Sequence, residues 1–312
     1  MSMIIALHMP SAERLEWWAQ QLSELLPEYR VLAHSDIEAS TDVEIAVVWR
    51  PPNGWLATLP NLKLTVSIGA GIDHIVQDPS YPANIPVLKT TGPDMIQRMR
   101  EYVVLNVLRF HRELPTLVQQ QSEQRWKSVI TPTAQQRQVG IMGMGGMGTA
   151  ASKSLVELGF KVRCWSRNSK TINGIQSFSG LEQLENFLEQ TEILVCLLPL
   201  TEDTKEILCS GLFNQLPKGA CLINAARGQH LAEQDLLDAL NNGQLSQATL
   251  DVFTTEPLPE GHPFWQHPDI LVTPHIASLI DPVSGGKIIA ANIKRFAQGD
   301  MPDGLTEAYK GY

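Results

Sequence analysis

The sequence lacks any run of apolar residues long enough to cross a membrane as a helix, although 43% of its 312 residues are hydrophobic. Cations are also few. The chain has 24 Lys and Arg residues and 33 Asp and Glu residues, which give a formal net charge of −9. A nucleic-acid surface needs clustered cations, so that function is not expected. The apolar start is short and meets Pro10, which favours a first strand over a signal peptide. We therefore expect a globular protein with neither a nucleic-acid nor a membrane partner.

Cysteine is rare as well, with four residues at Cys164, Cys196, Cys209 and Cys221 and no CxxC pair. Three of the four lie in apolar, strand-like runs, where a thiol behaves as a small buried hydrophobe. The spacing favours neither disulfides nor a metal site, and the histidines other than His275 also lack the spacing of metal ligands. We expect reduced thiols, a cytoplasmic location and no bound metal.

Short apolar runs alternate with helix-like stretches along the whole chain. Runs such as Ile4–Leu7, Val139–Met142 and Ile193–Leu197 are continuously apolar, which is typical of parallel strands covered on both faces. Strands that alternate with helices predict βαβ units and hence an α/β fold with doubly wound sheets. The rhythm occurs twice, once over about residues 1 to 90 and again from Val139.

Two long helical patterns fall outside these rhythms, one over Asp94–Val118 and one after Asp281. If they connect two Rossmann-like lobes, the first lobe is discontinuous in sequence. We predict a substrate-binding domain of residues 1–98 and 281–312, with a nucleotide-binding Rossmann domain of residues 99–280 inserted into it. The active site is expected in the cleft between the lobes.

A glycine-rich loop, Gly143-Met144-Gly145-Gly146-Met147-Gly148, follows an apolar strand and precedes a helix-like stretch. In dinucleotide-binding loops the first glycine permits a tight turn, the second lets the backbone approach the pyrophosphate, and the third lets helix and strand pack closely. The helix would present its first N–H groups to the phosphates. We take Gly143, Gly145, Met147 and Gly148 as candidate cofactor-binding residues, and the alternative is a glycine-rich turn without a ligand.

The next strand ends in Ser166-Arg167, where an NAD-specific site usually has an acidic residue that binds the ribose 2′-hydroxyl. A hydroxyl and a fixed cation suit a 2′-phosphate better, and Lys170 could add a second cation. These three residues favour NADPH (NADP) as the cofactor over NADH, which would bind more weakly. The alternative is a solvated basic turn.

Three further polar residues stand out because each follows an apolar strand. They are Arg227, Glu256 and His275, and the carboxyl ends of parallel strands are where open α/β sheets bind ligands. Each alone could be structural: a surface cation, a helix-cap acid and a core histidine. All three at the ends of successive strands favour a catalytic site.

With these motifs in order, the sequence resembles the D-isomer-specific 2-hydroxyacid dehydrogenase family over essentially its whole length. Within the family it is most similar to the bacterial glyoxylate/hydroxypyruvate reductase A type. The family motifs are Gly69-Ala70-Gly71-Ile72-Asp73, the Gly143 loop, Leu198-Pro199-Leu200-Thr201, Asn224-Ala225-Ala226-Arg227-Gly228, Leu250-Asp251-Val252-Phe253-x-x-Glu256-Pro257-Leu258 and Thr273-Pro274-His275-Ile276-Ala277. The closer resemblance is carried by Cys164-Trp165-Ser166-Arg167, Trp265-Gln266-His267-Pro268 and the terminal Gly311-Tyr312.

The resemblance implies reduction of a small 2-keto acid: glyoxylate to glycolate, or hydroxypyruvate to D-glycerate. It gives His275 the role of proton donor and Glu256 that of its hydrogen-bond partner, which favours the charged ring. Arg227 would bind the substrate carboxylate and polarise the carbonyl. The backbone N–H groups of Ala70 and Gly71 would bind the other end of that carboxylate.

The resemblance also bears on the cofactor groove, the assembly and the alternatives. Pro199 and Ala225 would line the groove, and Asp251 would contact the nicotinamide amide unless it caps the following turn. Family members are generally dimeric, so a homodimer is expected. Two alternative functions remain: a dehydrogenase of the same family for another 2-keto acid, and a catalytically silent dinucleotide-sensing protein.

Overall fold

The computed structural model describes residues 3–38 and 42–306, so the terminal Gly311-Tyr312 pair lies outside the described residues. The chain forms two compact units. One takes the residues up to Met95 and again from Leu279 onward, and the other is Ile96–Ser278. The second unit is therefore an insertion in the first. Within the described ranges, no helix combines the length and the apolar character that crossing a membrane requires.

The first unit begins with alternating strands and helices. Helix α1 starts after Ser11, whose side chain accepts a hydrogen bond from the Arg14 N–H, and it buries Trp18 and Leu22 in the core of the unit. The elements in chain order are β1 (Met3–His8), α1 (Ala12–Leu25), β2 (Tyr29–Ala33), β3 (Val43–Val48), β4 (Leu64–Ser67), α2 (Asp73–Val76) and β5 (Val87–Lys89).

The long helical pattern predicted over Asp94–Val118 is two helices, so that prediction is wrong in detail. Helix α3 spans Pro93–His111 and helix α4 spans Leu114–Ser122. Between them Glu113 adopts a left-handed conformation with φ 53°. The physical reason is Pro115, which has no N–H to donate and is tolerated only in the first turn of a helix.

The second unit continues with seven strands of one parallel sheet. Its core is formed by apolar side chains from both faces of that sheet, in line with the continuous apolar runs of the sequence. The elements are β6 (Gln138–Met142), α5 (Gly146–Glu157), β7 (Lys161–Ser166), β8 (Ile175–Ser179), α6 (Leu184–Leu188), β9 (Ile193–Cys196), α7 (Ser210–Phe213), β10 (Ala220–Asn224), α8 (Glu233–Asn241), β11 (Leu245–Leu250) and β12 (Ile270–Val272).

The chain then returns to the first unit through α9 (Pro282–Ala297) and β13 (Leu305–Thr306). Asp281 caps α9 by accepting hydrogen bonds from the N–H groups of Val283 and Ser284. The first sheet has the order β13-β5-β4-β3-β1-β2, in which only β13 is antiparallel to its neighbour among the described strands.

The second sheet has the order β12-β11-β10-β9-β6-β7-β8, and all of its described pairings are parallel. The chain runs outward from β6 in one direction and then from β9 in the other, so the strand order reverses between β6 and β9. Ligands of doubly wound sheets bind at the carboxyl ends of the strands beside such a reversal. The predicted fold class, two Rossmann-like α/β lobes with one inserted into the other, is confirmed.

Candidate active site

Three neighbouring strands carry the residues predicted to do chemistry. Strand β11 is hydrogen-bonded in parallel to β10 on one side and to β12 on the other. Their carboxyl ends therefore lie along one edge of the sheet. Arg227 follows β10 by three residues, Glu256 lies in the loop after β11, and His275 follows β12 by three residues. The topology thus brings all three loops to one edge.

Glu256 and His275 form an ion-pair geometry at this edge. Glu256 Oε2 lies 2.8 Å from His275 Nδ1, and the two side chains are 14% and 27% exposed. The other carboxylate oxygen, Oε1, accepts a hydrogen bond of 2.9 Å from the Phe253 N–H. The carboxylate is therefore fixed by its own loop while it orients the imidazole, and ring nitrogen Nε2 is the one directed away from Glu256.

His275 itself has a left-handed backbone with φ 54°, which is unfavourable for a residue with a side chain. Buried Asp251 stabilises this conformation. Its backbone carbonyl accepts a 2.9 Å hydrogen bond from the His275 N–H, and its carboxylate accepts bonds of 2.9 and 2.8 Å from the N–H groups of Ile276 and Ala277. The loop that carries the imidazole is thus built around one aspartate.

These contacts give Asp251 a structural role in the His275 loop. That role differs from both roles considered from the sequence, a contact with the nicotinamide amide and a cap on the following turn. A third donor, Thr273 Oγ1, lies 2.6 Å from Oδ1, and the aspartate has no exposed surface. Burial raises the pKa of the Asp251 carboxyl above its ordinary value, and these hydrogen bonds lower it in part.

Arg227 immediately precedes a short 3₁₀ helix, Gly228–His230. Its guanidinium Nη1 donates a 2.7 Å hydrogen bond to the Ala226 carbonyl, and the residue is half-buried. A guanidinium has five N–H donors in a planar fork, a geometry suited to a carboxylate. The bond to the Ala226 carbonyl anchors the side chain near its own loop.

Two residues beside Arg227 have no role among those predicted from the sequence. Gly228 lies so close to the next loop that a side-chain carbon there would be 1.9 Å from the Phe253 carbonyl carbon. His230 is fully buried and contacts both Arg227 and Pro199. Gly228 could have been found from the sequence, because it directly follows Arg227 in the family motif. For His230 no local sequence pattern indicates a role.

The glycine loop fits a dinucleotide. Gly143 has φ 99°, and a side chain on it would meet the Leu197 carbonyl oxygen at 2.5 Å, so only glycine is tolerated. A side-chain carbon on Gly148 would lie 2.0 Å from the Gly143 oxygen, which explains the close approach of β6 and α5. Gly145, by contrast, faces open space, with nothing within 4 Å of such a carbon. Helix α5 begins at Gly146 with no side-chain cap, so its first N–H groups point toward that space.

The predicted 2′-phosphate residues lie at the carboxyl end of β7, where Ser166 is the last residue of the strand and Arg167 and Lys170 follow it. Ser166 Oγ donates a 2.8 Å hydrogen bond to the Asn168 carbonyl, whereas the Arg167 and Lys170 side chains are exposed. Two cations thus lie on the turn after the strand that neighbours β6. The other predicted groove residues also lie at carboxyl ends, since Pro199 follows β9 and Ala225 follows β10. Half-buried Met147 lies in the first turn of α5.

Ala70 and Gly71 belong to the first unit, in the loop after β4. Ser67 shapes this loop, because its hydroxyl donates a 2.7 Å hydrogen bond to the Gly71 carbonyl and accepts one of 3.3 Å from the Gly69 N–H. Both predicted substrate-binding residues are half-buried. Across residues 3–38 and 42–306, no group of three or more His, Cys, Asp or Glu side chains could hold a metal ion.

Replacing Gly145 by alanine tests the glycine loop. We expect dinucleotide binding to weaken by about tenfold or more, because the new methyl group would occupy space that the phosphates need. The unfolding temperature should stay within about 2 °C, because the methyl group clashes with no protein atom. Binding is measured by fluorescence titration, with Gly211→Ala as a control whose methyl group would meet only Cys209 Sγ at 3.8 Å. Unchanged binding in the Gly145 variant would place the phosphates elsewhere.

Comparison with known proteins identifies relatives over the full chain. A family model described as "D-isomer specific 2-hydroxyacid dehydrogenase, NAD binding domain" matches residues 104–277. A glyoxylate/hydroxypyruvate reductase A from Serratia proteamaculans is 43% identical over 302 residues, which cover 95% of this chain and 96% of the relative.

Solved structures agree with this relationship. A D-isomer specific 2-hydroxyacid dehydrogenase from Xanthobacter autotrophicus, in complex with NADPH and MES, is 38% identical, with a TM-score of 0.91 and all of both chains covered. An NADPH-dependent glyoxylate/hydroxypyruvate reductase from Sinorhizobium meliloti, in complex with NADP and sulfate, is 32% identical, with a TM-score of 0.92 over 99% of this chain and 100% of that one.

Proposed function

The chain belongs to the D-isomer specific 2-hydroxyacid dehydrogenase family, and we propose that it reduces glyoxylate to glycolate and hydroxypyruvate to D-glycerate with NADPH. The observation that carries the proposal is the Glu256–His275 pair. This pair lies at the same edge of the sheet as the loop that contains Arg227. The relatives named as glyoxylate/hydroxypyruvate reductases support the choice of substrate.

His275 is the proton donor in this proposal. When bound, NADPH supplies the hydride that the carbonyl carbon of the 2-keto acid accepts. As the carbon–oxygen double bond opens, negative charge develops on the oxygen, and the His275 imidazolium transfers its Nε2 proton there to complete the hydroxyl group. Glu256, 2.8 Å from Nδ1, orients the ring and stabilises its positive charge before the transfer.

Substrate binding is assigned to two sets of donors. The Arg227 guanidinium binds the substrate carboxylate in a fork and draws electron density from the neighbouring carbonyl. The backbone N–H groups of Ala70 and Gly71 bind the same carboxylate. We retain a substrate-binding domain of residues 1–98 and 281–312, which contains Ala70 and Gly71, and a cofactor-binding domain of residues 99–280, which also contributes Arg227. The family match over residues 104–277 supports the second of these domains.

Arg167 should set the preference for NADPH over NADH. The exposed guanidinium follows β7, where it can bind a 2′-phosphate, so Arg167→Ala should lower the ratio of kcat/KM for NADPH to that for NADH by about 10- to 100-fold. Lys161→Ala is the matched control, since Lys161 is an exposed cation at the opposite end of the same strand. A ratio that does not move in Arg167→Ala would mean that other residues bind the 2′-phosphate.

One assay tests the proposed function. Purified protein is given NADPH or NADH with glyoxylate, hydroxypyruvate, pyruvate and a bulkier 2-keto acid, and oxidation is followed by absorbance. We expect the highest kcat/KM for the two small substrates with NADPH. A bulkier acid as the best substrate would indicate another dehydrogenase of the family. Tight NADPH binding with no turnover of any keto acid would favour a dinucleotide sensor, which would have no need of the His275–Glu256 pair.

A homodimer in the cytoplasm completes the proposal. Exposed apolar side chains on α3 and α4 include Leu105, Leu117 and Val118, which are 64%, 40% and 57% exposed, and a second copy of the chain would cover them. Light scattering should give twice the 34.6 kDa mass of the chain, and a monomer would contradict this assembly. Four free cysteines support a reducing compartment, which cell fractionation would test.

A further inference from the structure

His230 connects two loops of the candidate site through one buried ring. The imidazole lies at the end of the 3₁₀ helix Gly228–His230 and has no exposed surface. Its Nδ1 lies 3.1 Å from the backbone nitrogen of Arg227, and its Nε2 lies 3.3 Å from the carbonyl oxygen of Pro199. The first loop presents the guanidinium, whereas the second follows β9 at the reversal of strand order, beside the glycine loop.

The two partners determine which ring nitrogen carries the proton. The Arg227 N–H can only donate, so Nδ1 must accept and must be unprotonated. The Pro199 carbonyl can only accept, so Nε2 must carry the hydrogen. In the opposite tautomer, or in the imidazolium, an N–H at Nδ1 would face the Arg227 N–H. The neutral ring with its proton on Nε2 is therefore the form that satisfies both partners.

The Arg227 carbonyl oxygen also lies near this ring, 3.2 Å from Nδ1. It already accepts hydrogen bonds from Asn224 Nδ2 at 3.0 Å and from the His230 N–H at 3.3 Å. A carbonyl oxygen has two lone pairs, so both are used without the ring. A proton on Nδ1 would therefore add little at this oxygen, and it would remove the acceptor of the Arg227 N–H and the donor to Pro199.

The backbone around Arg227 has further supports. Farther along the two loops, backbone hydrogen bonds of 2.8 Å run from the Glu206 N–H to the Gln229 carbonyl and from the Leu208 N–H to the His230 carbonyl. The side-chain bonds near Arg227 and Pro199 are more local. Asn224 bonds to the Arg227 carbonyl through Nδ2, and its Oδ1 accepts a 3.2 Å hydrogen bond from the Ala226 N–H. Thr204 Oγ1 donates a 2.8 Å bond to the Pro199 carbonyl from within its own loop. Of these side chains, only that of His230 reaches from one loop to the other.

We propose that His230 is a positioning residue that fixes Arg227 through Nδ1 and the Pro199 loop through Nε2. The two ring nitrogens then affect different ligands. The bond at Nδ1 supports the loop that binds the 2-keto acid, and the bond at Nε2 supports the loop that binds the dinucleotide. This inference rests on the proposed roles of Arg227 and Pro199. It predicts that the two hydrogen bonds can be removed one at a time, with separate effects on the two ligands.

Two amide variants separate the bonds. In His230→Asn, the short side chain offers its oxygen near the position of Nδ1 and cannot reach Pro199. In His230→Gln, the longer side chain brings its NH₂ group near the position of Nε2 and loses the acceptor for the Arg227 N–H. We expect His230→Asn to raise the Kd for NADPH about 3- to 10-fold and to leave the KM for glyoxylate within about twofold of wild type. We expect His230→Gln to raise the KM for glyoxylate about 3- to 10-fold and to leave the Kd for NADPH within about twofold.

The matched control is His111, another buried histidine of the same unit, which packs edge-on against Phe160 at the end of α3. His111→Asn and His111→Gln should lower the unfolding temperature without separating the two ligands. NADPH binding is titrated without keto acid, and KM is measured at saturating NADPH. Parallel changes in both constants for the two His230 variants, or no change in either, would overturn the inference.

A second measurement needs no variant. Selective ¹⁵N labelling of histidine distinguishes a protonated Nε2 from a protonated Nδ1 in the folded chain, with His230→Gln identifying the signal. We expect Nε2 to be protonated, and a protonated Nδ1 would overturn the inference. If the wild-type chain reduces no 2-keto acid, the proposed function fails by itself. If it is active while the two His230 variants behave alike, the failure belongs to His230.

Discussion

Replacing His275 by alanine should lower kcat for glyoxylate by about 10²- to 10⁴-fold, the usual range for the loss of a general acid. The physical reason is that the developing oxyanion would have to take its proton from water. Binding of NADPH should change by less than about twofold, because the substitution leaves the glycine loop and its helix intact. Stopped-flow or steady-state absorbance measures the first quantity and fluorescence titration the second.

A second histidine–glutamate pair in the same unit provides the control. His262 Nε2 lies 3.2 Å from Glu233 Oε2, and both of these side chains are partly buried, as are those of His275 and Glu256. His262→Ala removes a similar histidine–glutamate contact whose two residues have no assigned role in the reaction, so kcat should stay within about threefold of wild type. A kcat of His275→Ala within tenfold of that of wild type would mean that His275 is not the proton donor.

The partner carboxylate should have a smaller effect. In Glu256→Gln the amide oxygen can still accept a hydrogen bond from Nδ1, so the ring keeps its orientation, but the negative charge that stabilises the imidazolium is gone. We therefore expect a loss of kcat between those of wild type and His275→Ala. An equal loss in both variants would mean that Glu256 chiefly maintains the structure of the loop.

The parts of the fold that could be predicted from the sequence are those with continuous apolar runs. Strands β6, β9 and β10 are buried on both faces, so burial alone makes them apolar and recognisable. Four strands had no such pattern. Strand β2 follows α1 closely, and β5 and β13 have only three and two residues. Strand β8, at the sheet edge, is mostly polar, with Ile175 and Phe178 as its only apolar residues.

The candidate site divides in the same way. Arg227, Glu256 and His275 could be found because each follows a strand, and parallel strands end at one edge of the sheet. His230 could not, because its function arises from contact with Pro199, 31 residues earlier in the chain, on the loop after another strand. No local spacing encodes a contact between two loops. The contacts of Asp251 could not be predicted from the sequence either. They depend on the left-handed backbone of His275, which brings the N–H groups after β12 to the Asp251 carboxylate.

Replacing Arg227 by glutamine should lower kcat/KM for glyoxylate by about 10²- to 10⁴-fold. The estimate takes two charge-assisted hydrogen bonds to a carboxylate at about 1.5–3 kcal/mol each, with about 1.4 kcal/mol for each factor of ten. Arg227→Lys keeps the charge and loses the fork, so its loss should be smaller. The Kd for NADPH should change little in both variants.

Two comparisons separate carboxylate binding from general damage to the site. Arg109→Gln removes another half-buried guanidinium of the same unit, whose Nη1 lies 3.4 Å from Thr249 Oγ1, and should lower kcat/KM by less than about threefold. Glycolaldehyde, which lacks the carboxylate of glyoxylate, provides the second comparison. Wild type should strongly prefer glyoxylate over it, and Arg227→Gln should lose most of that preference.

The ratio of the two substrates makes this test specific. If Arg227 binds the carboxylate, removing either the guanidinium or the carboxylate eliminates the same interaction, so the two losses do not add. Arg227 also lies beside the reacting carbonyl in the proposed complex, so glycolaldehyde turnover should fall as well, but by a smaller factor than glyoxylate turnover. Equal losses on both substrates would mean that Arg227 acts on the carbonyl or on the fold of its loop, and the carboxylate would then have to be bound by other donors, such as the N–H groups of Ala70 and Gly71.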